Sequence, residues 1–266
     1  MASARADAVP MASDFGGTDP TMLRRFFPEM EAGGFPRHDG TIEFYNRINA
    51  LLDPSSVLLD FGAGRGESHF DDKCAYRRQL QAFKGRIAHV HGVDVDPVVL
   101  TNPRLDSAHI LTSSGQIPLP DESVDVVLAD WVLEHLEHPD VTVGEFARVL
   151  KPDGWVCART PNRWHYQYLA AQLIPERFHA SVLRHVQKNR KSVDVFPKYY
   201  RLNDRRAIAR VFGKLFDNFT YEYSPPPAYV PDSAILWRIA LLVDILAPPT
   251  FRTNLYVFAR KRGGKA

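Results

Sequence analysis

A chain of 266 residues has room for one large domain, or one domain with insertions. Its 45% hydrophobic content can bury a sizeable core, which excludes a largely disordered protein. A net charge of +2 does not by itself point to nucleic acid, and two cysteines, Cys74 and Cys157, neither form a metal cluster alone nor supply a secreted disulfide framework.

The opening MASARADAVPMASDFGG lacks the apolar core of a signal peptide, and residues 1–38 read as a disordered or loosely ordered tail. No stretch reaches the ~18–20 apolar residues of a membrane span, so the expectation is a cytoplasmic protein. TIEFYNRINALL sets Ile42, Tyr45, Ile48 and Leu52 at helical spacing. VLLD, from Val57, is a short apolar run that stops at a glycine-rich turn, the pattern of a buried strand. A loop and a helix (AYRRQLQAF) follow, then strands in RIAHVHGVDVD, AHILTSS and VDVVLAD. A helix is expected from about Val132 to Leu150, KPDG as a turn, and WVCART as a fifth strand. Strands alternating with helices imply a parallel sheet covered on both faces.

Past Asn162 the alternation loosens. Residues 163–201 form a long aromatic and basic insertion, and a second insertion covers about 225–250. LNDRRAIARVFGKLF returns to helical periodicity with Asn203 as its cap, and NFTYEYS and TNLYVFARK alternate like strands. Between Glu176 and Arg210 ten Lys/Arg stand against three acids; the default reading is a solvated helix face, and the sharper one is attraction of an anionic substrate or a membrane surface. AILWRIALLVDILA is apolar nearly all round, broken only by Arg238 and Asp244, and such a helix is expected to be buried. Within the monomer it would cap the active site; a dimer interface or a membrane contact are the other readings.

The stretch VLLDFGAGRG places Asp60, Gly62, Gly64 and Gly66 at alternate positions. A glycine turn between strand and helix lets a ligand approach main-chain amides. A phosphate-cradling loop would need Lys and Ser/Thr after the last glycine, where Glu67 and Ser68 stand. A dinucleotide fingerprint would need Gly at Glu67. An acid just before the glycines suits an ammonium group instead. Asp94, ending the second strand, can accept both hydroxyls of a ribose. Together they describe a nucleoside with a zwitterionic tail.

LLDFGAGRG, GVDVDP, IPLPDESVDVVLADWVLEHL and RVLKPDGWVCARTPN resemble, in order, the motifs of class I S-adenosylmethionine-dependent methyltransferases, in the small-molecule group that includes quinone-biosynthesis enzymes. The resemblance covers about residues 40–162 and, weakly, the last two strands. It implies an α/β, Rossmann-like seven-stranded sheet, mostly parallel with an antiparallel last strand and helices on both faces, formed by residues 39–266. It implies S-adenosylmethionine as cofactor, with Gly62, Gly64 and Gly66 along its methionine part, Asp60 toward its ammonium and Asp94 on the ribose. Val95 would pack on the adenine. Ser113, with Ser114 beside it, stands where many relatives carry an aspartate for the adenine amino group, and Asp130 and Trp131 fall on the methionine side.

His135 and His165 are the candidate acid–base residues, since histidine is the usual proton acceptor near neutral pH. No metal-ligand arrangement stands out, and a sulfonium methyl can transfer by alignment and desolvation alone. The expected function is methyl transfer to O, N or C of a small-molecule or lipid-like acceptor. A regulatory protein that binds the cofactor without turnover is the alternative. A macromolecular acceptor such as RNA is a third, without a recognisable RNA-binding motif.

Overall fold

The computed structural model describes residues 20–66, 71–112, 114–165, 197–227 and 230–263. Among these are strands β1 (Val57–Phe61), β2 (His89–Asp94), β3 (Ser107–Ile110), β4 (Val124–Asp130), β5 (Leu150–Pro161), β6 (Phe216–Asn218), β7 (Tyr221–Tyr223) and β8 (Asn254–Lys261). The helices are α1 (Pro20–Phe26), α2 (Gly40–Leu51), α3 (Ala75–Gln81), α4 (Pro139–Val149), α5 (Arg205–Phe212) and α6 (Ala234–Leu246).

The sheet runs β3-β2-β1-β4-β5-β8-β6, with β7 also paired to β8. β1 to β5 are mutually parallel, and β8 is antiparallel to β5, β6 and β7. Eight strands stand where seven were expected. The reason is that β6 and β7 lie one after the other along the same strand, against 259–261 and 254–256 of β8. The strand order reverses between β1 and β4, which opens a crevice at their carboxyl ends.

Period-two alternation distributes the core between two faces. Leu59, Val127, Ala158 and Val257 pack with Phe146 of α4 and Ile208 and Phe212 of α5. Their neighbours Leu58, Val126, Leu128 and Cys157 pack with Phe44 and Ile48 of α2 and Leu80 of α3. Cys157 is thus a core residue, and burial pushes its thiol far up.

Four local expectations are corrected. The helix drawn from Val132 to Leu150 is a single 3-10 turn, Leu133–His135, followed by α4, because Pro139 drives His138 out of helical conformation (φ −121°, ψ 74°). KPDG does not end before a strand but lies inside β5. It absorbs a register jump from Val124↔Leu150 to Val126↔Trp155, with Asp153 left-handed at φ 61°. The cap of α5 is Asp204, whose side chain accepts from the Ala207 amide at 2.8 Å. Asn203 is instead buried, donating from Nδ2 to Thr160 Oγ1 and the Pro161 carbonyl. Part of the segment read as a loosely ordered tail is packed: Met22, Leu23, Phe27 and Met30 bury around Trp237 of α6.

Candidate cofactor and acceptor cavity

The crevice at the β1–β4 switch is the mouth of a cavity of about 990 Å³. At its β1 end the chain leaves the strand through Gly62 (φ 80°), Gly64 (φ 47°) and Gly66 (φ 76°), all left-handed. At two of them space is as restrictive as φ. A Cβ on Gly62 would collide with Val132 Cγ2, and one on Gly66 would lie 2.5 Å from Asn102 Oδ1. Asn102, which the sequence reading missed, ties the turn down: its Nδ2 donates to the carbonyls of Ala63 (3.0 Å) and Gly64 (3.2 Å).

Asp94 is held from both sides. The Gly64 amide donates to Oδ2 at 2.8 Å and the Asp96 amide to Oδ1 at 2.9 Å. Each oxygen keeps a lone pair for a further donor. Beside it Val95 is 58% exposed on the cavity wall, an apolar surface fit to cover a planar ring. Asp60 lines the same wall. Burial pushes its carboxyl up to about 7; Arg104 opposes this, while the charges of Asp130 and Asp94 add to it. A carboxyl in that state gains most from a cation placed against it.

At the β4–β5 end the wall is built differently. Arg159 pairs with both oxygens of Asp130, Nη2 to Oδ2 at 2.9 Å, and donates from Nη1 to Thr41 Oγ1. The Tyr45 hydroxyl also donates to Asp130 Oδ2 at 2.9 Å. The guanidinium lies over Trp131 at 5.1 Å and near the rings of Phe44 and Tyr45. Trp131 has φ 58°, a costly conformation for a bulky residue and one that concentrates at functional sites. Glu134 is buried, accepts from Thr160 Oγ1 at 3.0 Å, and has its carboxyl pushed up, chiefly by burial. His135 Nδ1 lies 2.7 Å from the Pro197 carbonyl. That oxygen only accepts, so Nδ1 carries the proton and Nε2 is the basic nitrogen.

Residues 59–158 match the profile of a methyltransferase domain family. A ubiquinone biosynthesis O-methyltransferase of Hydrogenovibrio crunogenus is 27% identical over 180 residues, 65% of this chain and 66% of that protein. A probable S-adenosylmethionine-dependent methyltransferase of Mycolicibacterium smegmatis is 40% identical over 111 residues, 40% of this chain and 38% of that one. Through residues 59–158 the chain carries a methyltransferase domain and is similar to S-adenosylmethionine-dependent methyltransferases. It therefore spans between about two fifths and two thirds of these curated relatives' lengths. Among solved structures the [4+2]-cyclase SpnF shares the fold, with a TM-score of 0.52, 16% identity and coverage of 91% of this chain and 94% of that one.

Of the methyltransferase residues expected from sequence, Asp60, Gly62, Gly64, Gly66, Asp94, Val95, Asp130, Trp131 and His135 line this one cavity. Of the other three, two described residues do not join them. Ser113 lies outside the described residues. Ser114 is exposed, its Oγ 2.8 Å from Thr112 Oγ1, and is not among the described lining residues. His165 is buried off the cavity with Nε2 3.2 Å from Thr253 Oγ1, and burial lowers its imidazole to about 4. The lining also omits α6, which the sequence reading made part of a lid; the cavity meets only its flanks, Pro225, Pro226 and Asn254. Most of the basic stretch falls outside the described residues.

Proposed function

We propose that this chain transfers a methyl group from S-adenosylmethionine to a small, lipid-like acceptor that enters over β4 and β5. The observation that carries the proposal is a single cavity, about 990 Å³, continuous from the glycine turn to Glu134 and His135. That is the upper end of the usual ~300–1,000 Å³ for small-molecule sites, so it has room for a cofactor and an acceptor together.

Gly62, Gly64 and Gly66 let main-chain amides approach the methionine part, Asp60 takes the ammonium, and Asp94 takes the ribose hydroxyls on its remaining lone pairs. Val95 covers the base, and Asp130 and Trp131 close the methionine side. When bound, the cofactor supplies an electrophilic sulfonium methyl. The described lining carries nine acids and five Lys/Arg, an excess that favours a cationic ligand and opposes a polyanion such as RNA. It gives no support to an anionic acceptor. His135, on the cavity wall, would take the acceptor's proton, while alignment and exclusion of water carry most of the barrier.

A methyl-transfer screen over phenol, amine and carbon-acid lipids, read by mass spectrometry as the gain of one methylene, tests the proposal. Tight cofactor binding with no acceptor modified would favour the regulatory alternative. The cyclase on the same fold is a reminder that architecture does not set chemistry.

A further inference from the structure

Helix α6 leaves in solvent what its sequence would bury. One side of it, Ala234, Trp237 and Leu241, packs on Met22, Leu23, Phe27 and Met30 of the N-terminal segment, with Trp237 fully buried and stacked on Phe26 at 5.5 Å. The other side carries Ile235 (68% exposed), Leu236, Ile239, Leu242, Val243 and Leu246 (71%). At 3.6 residues per turn these six fill one unbroken arc facing away from Trp237. Single exposed apolar residues need no explanation; a contiguous ridge of them does.

We propose that this ridge docks the protein on an anionic lipid surface, with α6 lying in the plane of the interface and its apolar arc among the acyl chains. A helix of 13 residues is ~20 Å long and cannot cross a ~30 Å hydrocarbon core. No helix among the described residues is long and apolar enough to cross a membrane. A second copy is the poorer occupant. One helix-wide strip on another buries several hundred Å², short of the ~1,200 Å² at which specific stable interfaces begin. A convex ridge also needs a complementary groove in a protein, whereas a fluid bilayer conforms to it.

Charge points the same way. Besides the pairs Arg24–Glu31 and Arg37–Glu29, α6 and the segments that flank it or pack on it carry exposed Arg25, Arg238 and Arg252, against exposed Asp232 and the half-buried Asp244. Burial pushes the Asp244 carboxyl up to about 6, which lightens the negative side further near an acidic lipid surface. The chain enters α6 from Pro225 and Pro226 and leaves it toward Asn254, and all three line the cavity. Docking would thus bring the cavity to the layer in which a lipid-borne acceptor is dissolved. That last step rests on the proposed methyl transfer; docking itself does not.

The test is flotation of the full chain with vesicles of phosphatidylcholine, alone or mixed equally with phosphatidylglycerol. The mixed vesicles should carry the wild type, and Ile239→Glu/Leu242→Glu should weaken binding at least ~10-fold, since losing one buried aliphatic side chain corresponds to about that factor. In a third variant, Ile235→Trp, the added indole should shift to the blue on the mixed vesicles and be quenched by brominated acyl chains. Unchanged affinity of the double variant for S-adenosylhomocysteine shows that it is folded and separates failure of docking from failure of the methyltransferase reading. Absence of wild-type binding, equal flotation of the double variant, or a wild-type dimer that the double variant dissolves would each overturn the proposal. Equal binding to both vesicle types would overturn its anionic part.

Discussion

Asp60 offers a quantitative test of how the cavity selects a cation. Its carboxyl stands at about 7 in the ligand-free protein, against an ordinary ~3.9 when unfolded. An ammonium beside it returns it toward the ordinary range, so binding expels a proton wherever the free protein holds one. With about 7 before binding and ~4 after, affinity for S-adenosylhomocysteine should fall about tenfold from pH 8 to pH 6. Calorimetry at pH 6 in buffers of different ionisation enthalpy should show about one proton released. Asp60→Asn should bind more weakly at pH 8 and lose this pH dependence.

The same linkage sets stability with the opposite sign from the usual carboxylate. Because the folded value lies above the unfolded one, the native state binds the proton more tightly. The stabilising contribution is complete below ~4 and lost as pH rises through about 7, a range of up to ~4 kcal/mol at ~1.4 kcal/mol per unit. Asp60→Asn imitates the protonated carboxyl, so the ligand-free variant should melt higher than wild type at pH 8 and by a smaller margin at pH 6. Equal affinity at pH 6 and 8 in the wild type, with the variant melting no higher, would refute the reasoning.

Asp94→Ala removes the acceptor for two backbone amides and for the ribose; hydrogen bonds to a charged group are worth ~1.5–3 kcal/mol each, so calorimetry should read at least ~100-fold weaker cofactor binding. Gly62→Ala drives a Cβ into Val132 at φ 80°, and its melting temperature and cofactor affinity should both drop, the left-handed strain alone costing ~1–2 kcal/mol. His135→Gln should leave measurable turnover once an acceptor is in hand, with a rate lowered by the ~10²–10⁴ of a general base at most; complete loss with folding and cofactor binding intact would show that positioning alone does not carry the reaction.

The parts of the site that sequence alone determined are those carried by local backbone. Asp60, the three glycines and Asp94 sit at strand ends, where spacing along the chain already dictates which groups face the crevice, and glycine is the residue that tolerates φ of 47° to 80°. The five parallel strands were legible for the same reason, each a run of apolar residues closed by a turn. What only the tertiary structure decided depends on residues far apart in the chain. Tyr45, Asp130 and Arg159 become one cluster because α2 packs across β4 and β5. Arg104 and Asn102 reach the glycine turn through the fold of the loop after β2, and no pattern in their own neighbourhood announces it. His165, promising by its position after the fifth strand, is buried away from the cavity, and α6, apolar enough to be a core helix, has only one stripe covered, chiefly by Met22, Leu23, Phe27 and Met30, among the described residues. Periodicity tells which residues of a helix are apolar. Which of them find a partner is set by what the rest of the chain leaves beside them.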